Sequence, residues 1–171
     1  RTLALDECDV VMSVPTKFGP VSTTNPYFTS SYVVITRNKD ARQFTSFDDV
    51  WLKEAKIGLQ MVAVENATTP PAVALSRRGL NQHITAFSMW SEKGTDNPQG
   101  KIIEAVAKGE IDVAFVWGPF AGYFAKKYAK DLRMEPVTSD PKTPEHAFIF
   151  PMSIGVRKTD LVFRDRLQEA L

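Results

Sequence analysis

Apolar residues in this chain fall in short runs without alternation, separated by amphipathic or polar stretches. The clearest run, Val113-Ala114-Phe115-Val116, is opened by Gly109-Glu110-Ile111-Asp112 and closed by Trp117-Gly118-Pro119. A run of this kind is expected of a parallel strand covered on both faces. The pattern predicts a strand over 112–116 and a helix from about 119 to 129. Trp117 then stands at the carboxyl end of the strand, where open parallel sheets bind small molecules. This stretch alone equally admits a ring that merely caps a core.

The remaining pattern fills in an α/β unit. Residues 8–14 read as a buried strand ended by Pro15, and 29–36 as a second strand rich in Val, Ile and Tyr. A polar loop covers 37–43, and Ser46 is an N-cap candidate for a short helix. A strand follows over 56–60. Thr69 before Pro70 and Pro71 opens a helix, because prolines in the first turn lose only N–H groups that would be unpaired anyway, and Gly79 ends it. Residues 84–89 read as a strand, and 101–108 as a helix with Ile102, Ile103, Ala105 and Val106 on one face. A strand over 132–137, a polar loop over 141–145, an extended stretch over 146–156 and a final helix capped by Thr159 complete the reading. The alternation argues for a doubly wound parallel sheet.

Two long extended segments, 26–36 and 146–156, flank this unit. That is the layout of an inserted domain joined by two crossing strands, which form a hinge beside a cleft. The expected organisation is one lobe over 37–145, with 1–25 and 157–171 as short pieces of another. Residues 1–7 give only half a helix leading into a strand, so that second lobe is expected to begin earlier.

Composition narrows the function classes. In 171 residues, 43% hydrophobic content suffices for a core, and a net charge of +1 with mixed signs argues against a nucleic-acid partner. Lys126, Lys127 and Lys130 form the densest basic cluster, read as a solvated face complementing a helix end. No apolar run approaches the roughly twenty residues of a membrane span, and no signal-peptide pattern is present. The single Cys8 and the distant His83 and His146 give no metal-ligand spacing, and no cofactor motif is found. Catalysis is not expected. There is no nucleophile elbow and no phosphate loop, the adjacent Asp48 and Asp49 do not face one point, and Asp112 reads as a turn residue.

Four segments together resemble the second half of type 2 periplasmic solute-binding proteins, the family of amino-acid transport receptors. They are Cys8-Asp9-Val10-Val11-Met12-Ser13-Val14, Thr23-Thr24-Asn25-Pro26-Tyr27-Phe28, Lys56-Ile57-Gly58-Leu59-Gln60 and Gly109-Glu110-Ile111-Asp112-Val113-Ala114. Within that family the chain looks most like the MxaJ/XoxJ-like subgroup, binding-protein homologues encoded beside quinoprotein methanol dehydrogenases. The residues that carry this likeness are Asn66-Ala67-Thr68-Thr69-Pro70-Pro71-Ala72-Val73-Ala74-Leu75-Ser76-Arg77-Arg78-Gly79, Val116-Trp117-Gly118-Pro119-Phe120-Ala121-Gly122-Tyr123-Phe124 and Met152-Ser153-Ile154-Gly155-Val156-Arg157.

The resemblance implies a periplasmic, non-catalytic protein lacking the first portion of one lobe, where family members carry a cysteine able to pair with Cys8. It implies a quinoprotein methanol dehydrogenase partner, of the calcium or the lanthanide type. The alternative it leaves is a transport receptor for an unidentified small ligand other than an amino acid. The family grips a ligand carboxylate with an arginine where Lys17 stands, and the ammonium with an acidic residue where Trp117 stands. Lysine keeps the charge but loses the planar fork, and an indole gives no carboxylate acceptor. What remains is an aromatic wall of Tyr27, Phe28, Trp117, Phe120 and Tyr123, with Thr24, Asn25, Gln60, Thr68 and Thr69 as polar contacts. Tyr123, at helical spacing from Phe120, is expected to pack on the sheet.

Overall fold

The structure, a computed structural model, describes residues 3–40, 42–61, 68–89 and 97–171. In chain order the strands and α-helices are β1 (Val11–Pro15), β2 (Ser22–Thr23), β3 (Phe28–Arg37), β4 (Ile57–Met61), α1 (Pro70–Ser76), β5 (Ile84–Ser88), α2 (Lys101–Lys108), β6 (Val113–Trp117), α3 (Gly118–Ala125), β7 (Leu132–Val137), β8 (Ile149–Val156) and α4 (Leu161–Ala170). The chain divides into two compact units, Arg1–Ser30 with Ile149–Leu171, and Ser31–Phe148.

In the Ser31–Phe148 unit the strands lie in the order β7, β3, β6, β4, β5. β4 is parallel to both β5 and β6, whereas β3 runs antiparallel to β6 and β7. The expected parallel sheet is thus interrupted by one reversed strand. β3 brings the chain into the unit and follows no crossover helix, so the geometry that makes successive βαβ strands parallel does not act on it.

The unalternating run over β6 is explained by cover on both faces. Val113 and Phe115 join Val34, Leu59 and Leu75 in one buried cluster, while Ala114 and Val116 join Val33, Ile35 and Ile102 in the other. α2 seals the second face with Ile102, Ile103, Ala105 and Val106, and ends where Gly109 takes a left-handed φ of 78°. Only glycine adopts that conformation without steric cost.

α2 approaches the sheet closely at Gly58. A Cβ there would lie 2.5 Å from Ile111 Cδ1 and 3.2 Å from Ile102 Cγ1, and both isoleucines are buried, so each would have to shift within the core. Gly58→Ala is expected to cost about 1 to 3 kcal/mol through overpacking. A urea midpoint equal to the parent's would refute this.

Several local expectations are corrected. Ser46 caps no helix: its Oγ accepts from the Asp48 N–H, and a short 3-10 turn over Val50–Lys53 follows Asp49 instead. The Asp49 carboxylate reaches back to the Thr45 and Ser46 N–H groups, a local turn that competes with helix initiation. The helix expected over 119–129 stops at Ala125 and tightens into a 3-10 turn over Lys126–Tyr128. The residue preceding α4 is Asp160 rather than Thr159, and it makes no side-chain cap. Thr69 does cap α1, accepting from the Ala72 N–H.

In the Arg1–Ser30 and Ile149–Leu171 unit, β8 pairs antiparallel with β1 and β2. The strand expected over 8–14 is shorter and less buried: of β1 only Val14 is buried, and its register slips between Val11 and Val14, where Ser13 has a φ of 59°. The stretch before Ile149 is a turn rather than extended chain. Arg157 closes this unit by donating to the carbonyls of Leu3 and Cys8, each at 2.9 Å. Cys8 is a half-buried free thiol.

Candidate functional site

In the Ser31–Phe148 unit, five of the candidate residues sit on β4, β6 and the segments that open α1 and α3. Gln60 lies near the end of β4, Thr68 and Thr69 precede α1, Trp117 ends β6, and Phe120 lies in the first turn of α3. A side-chain bridge ties two of these ends together: Gln60 Oε1 accepts the Trp117 N–H at 3.0 Å. Trp117 lies beyond the last β4–β6 register pair, Leu59 with Phe115, so a glutamine side chain from β4 satisfies this N–H. The rest of the amide is less well served. Gln60 is 5% exposed, and its Nε2 is buried without a hydrogen-bond partner among the described residues. An unmet buried donor costs about 1 to 3 kcal/mol.

Beside Gln60 a groove of about 430 Å³ runs along α1 to β5, with Leu59, Ala72, Val73, Ile84 and Ala86 as apolar walls. Thr68 and Thr69 are among its polar lining residues. Thr69 is buried with its hydroxyl spent on the α1 cap, so Thr68, which is exposed, is the hydroxyl of the pair left facing solvent.

Trp117 is half-buried, neither a sealed core residue nor a free ring. It stands opposite Tyr32 in the β3–β6 register, with the rings edge-on at 5.4 Å. Burial pushes the Tyr32 phenol up to about 12, so it remains a proton donor at any physiological pH. Phe120 packs against the α2-side core, but Tyr123 does not: it is 76% exposed. The expectation that Tyr123 packs on the sheet is corrected. α3 is apolar nearly all round, and only the faces bearing Ala121 and Ala125 meet the core fully.

The other five candidates lie in the unit that contains both termini. Lys17 is exposed with a φ of 64°, held by its N–H donating to Thr23 Oγ1 at 3.2 Å. Tyr27 joins its hydroxyl to Ser13 Oγ at 2.9 Å and its ring edge to Phe28 at 4.9 Å. Asn25 is exposed, and its N–H donates to Gln168 Oε1 at 2.6 Å. Thr24 is buried, and its hydroxyl accepts from the Ile154 N–H while donating to the Asn25 carbonyl. Its role in this unit is to fix β8.

Two arginine networks were not legible as such. Arg37 donates to the Val106 and Ile111 carbonyls at 3.1 and 2.7 Å and to Asp112 Oδ1 at 3.0 Å, while Asp112 Oδ2 accepts the Lys56 N–H. Burial alone would raise the Asp112 carboxyl, but the Lys56 N–H and the Arg37 guanidinium more than offset it and hold it below the usual range. An acid so held is a structural brace and a poor proton acceptor. Arg78 forks onto Asp140 at 2.7 and 2.8 Å and onto Asp48 at 3.0 Å. Composition gave no signal for this pairing, because its partners are 30 and 62 positions away.

The architecture is that of a type 2 periplasmic binding protein. Comparison with known proteins agrees, although no family model matches the chain. It is similar to the protein MoxJ of Methylorubrum extorquens, 27% identical over 96% of this chain and 56% of the relative. It also superimposes on the periplasmic binding protein XoxJ from Methylobacterium extorquens AM1 with a TM-score of 0.73, at 28% identity over 96% of this chain and 66% of that one. MxaJ from Methlophaga aminisulfidivorans shares the fold at a TM-score of 0.78, with 20% identity over 98% of this chain and 70% of that one. The chain spans 56% and 62% of the length of two curated relatives that it matches. Asn66 and Ala67, which helped carry the likeness in sequence, lie outside the described residues. No described helix is long and apolar enough to cross a membrane.

Proposed function

We propose that this chain acts as a non-catalytic periplasmic binding-protein homologue, an accessory or activating partner of a quinoprotein methanol dehydrogenase in methanol oxidation. The observation that carries the reading is the likeness to MoxJ along almost the whole chain, joined to an aromatic residue, Trp117, at the β6 end. In this reading residues 37–145 are one lobe, 26–36 and 146–156 cross between lobes, and 1–25 with 157–171 belong to the other. The division of the chain after Ser30 and after Phe148 supports it. Lys17, Thr24, Asn25, Tyr27, Phe28, Gln60, Thr68, Thr69, Trp117 and Phe120 are the proposed ligand or partner residues. Half-buried aromatic anchors suit a protein interface.

The test is capture of a purified quinoprotein methanol dehydrogenase, of calcium and of lanthanide type, by the immobilised chain. Trp117→Ala is expected to weaken capture about tenfold or more, as for an aromatic hot spot. The same change should cost less stability than the roughly 3 to 5 kcal/mol of a sealed aromatic. Failure of the parent chain to capture either enzyme, or a variant that unfolds far more readily yet binds normally, sinks the reading.

A second reading, a transport receptor for a small ligand that is not an amino acid, is favoured by one feature. The buried Gln60 Nε2 beside the apolar groove calls for a hydrogen-bond acceptor such as a carbonyl or ether oxygen. Thermal-shift screening with small neutral ligands, repeated on Gln60→Leu, separates the two readings.

A further inference from the structure

A different surface of the Ser31–Phe148 unit carries chemistry that the cleft residues do not use. A groove of about 620 Å³ lies between the start of α2 and the end of α3. Its floor is the Phe124 ring, set so close over Gly100 that a Cβ there would stand 2.7 Å away. Tyr123 meets Phe124 edge-on at 4.9 Å while remaining mostly in solvent. An exposed aromatic on a helix that is apolar nearly all round is surface the fold itself does not bury.

The rim is basic. Lys101, Lys126 and Lys127 line it, and Glu104 is the one carboxylate among the described lining residues. Glu104 is already engaged by Lys108 at 2.7 Å. Lys108 holds its carboxyl below the usual range, with Lys127 and Lys101 adding to the effect. Complementing the helix dipole accounts for Lys126 and Lys127 just after α3. It does not account for Lys101, which opens α2 where a cation opposes the dipole. Lys101 shares the groove rim with Lys126 and Lys127 although its own helix end disfavours a cation.

We propose that this groove docks an acidic polypeptide segment, with its carboxylates over Lys101, Lys126 and Lys127 and an apolar or aromatic side chain against Tyr123 and Phe124. The site is separate from the cleft residues and does not depend on which partner they take.

Fluorescence anisotropy with a labelled peptide of glutamates around one central tyrosine tests it. The full chain should bind this peptide, and raising salt from about 50 to about 300 mM should weaken the complex by screening exposed charges. Lys126→Glu with Lys127→Glu is expected to lower affinity about tenfold or more. Lys101→Glu should lower it too, and since an acid there suits the helix dipole, that loss cannot be assigned to unfolding. Tyr123→Ala should weaken binding about fivefold and leave the salt slope intact. Lys158→Glu, in the other unit, should change nothing. Equal binding by the charge-reversed chain, or equal binding of a peptide with glutamine for glutamate, overturns the proposal. Tighter binding of oligodeoxythymidylate than of the peptide does so as well, by assigning the groove to single-stranded nucleic acid.

Discussion

Arg78→Met is expected to destabilise the Ser31–Phe148 unit by about 3 to 5 kcal/mol, the cost of breaking a buried ion pair from one side. Asp140 is 1% exposed at its side chain and takes both guanidinium nitrogens, with Thr143 Oγ1 donating to it at 3.0 Å. Methionine keeps an apolar stem near the Phe47 ring, over which the guanidinium carbon lies at 5.6 Å, and removes the charge together with its hydrogen bonds, one of them to the Ala74 carbonyl at 2.9 Å. The Asp140 carboxylate is then left buried without its cation.

The pH dependence follows from the same contacts. Burial would raise the Asp140 carboxyl, but Arg78, the Lys142 N–H and Thr143 together hold it below its usual value. Asp48 is held low by Arg78 and Lys142. A lowered carboxyl contributes stability that is present above its unfolded value of about 4 and is lost as pH falls through the lowered one. Arg78 stays charged throughout and adds no slope. The difference between parent and Arg78→Met should therefore be widest near pH 7 and shrink below about pH 4. Urea unfolding at both pH values reads this directly, and an equal gap at the two would remove the ion pair as the cause.

Phe115→Ala should cost a similar amount, about 3 to 5 kcal/mol, for a wholly different reason. Phe115 is 1% exposed at the middle of β6, stacked on Phe47 at 5.0 Å and edge-on to Phe44 at 5.3 Å. Phe47 in turn meets Phe148 at 5.7 Å, so one ring removed from this group leaves a cavity that its neighbours, fixed by strand and turn, fill only in part. The loss should be nearly independent of pH, since no titrating group is involved. A loss below about 1 kcal/mol would show that the aromatic group collapses freely and is not close-packed.

Elements set by local chemistry were the legible ones. α2 was readable to the residue because four apolar positions share a face and Gly109 stops it, and β7 because it is a short run between polar turns. The α1 start was readable because Thr69 with two prolines leaves the backbone few alternatives. What escaped was set by distant partners. The reversal of β3 depends on which strands it slides between, and the fork of Arg78 on a loop far along the chain. At the candidate site, the positions of Gln60 and Trp117 at strand ends were readable from periodicity. Their mutual hydrogen bond was not, because a strand pattern carries no register. Tyr123 was misjudged because helical spacing says which residues share a face and nothing about whether that face is covered.

The way β3 enters and the 140s loop leaves has a genetic side. The Tyr32 N–H donates to the Phe148 carbonyl at 3.2 Å, so the stretch 31–148 begins and ends at hydrogen-bonded neighbours. A segment whose ends already touch can be spliced into or out of a host gene in one recombination event, without rethreading either piece. Selection could therefore exchange or diversify this stretch as one cassette while leaving the flanking coding sequence untouched.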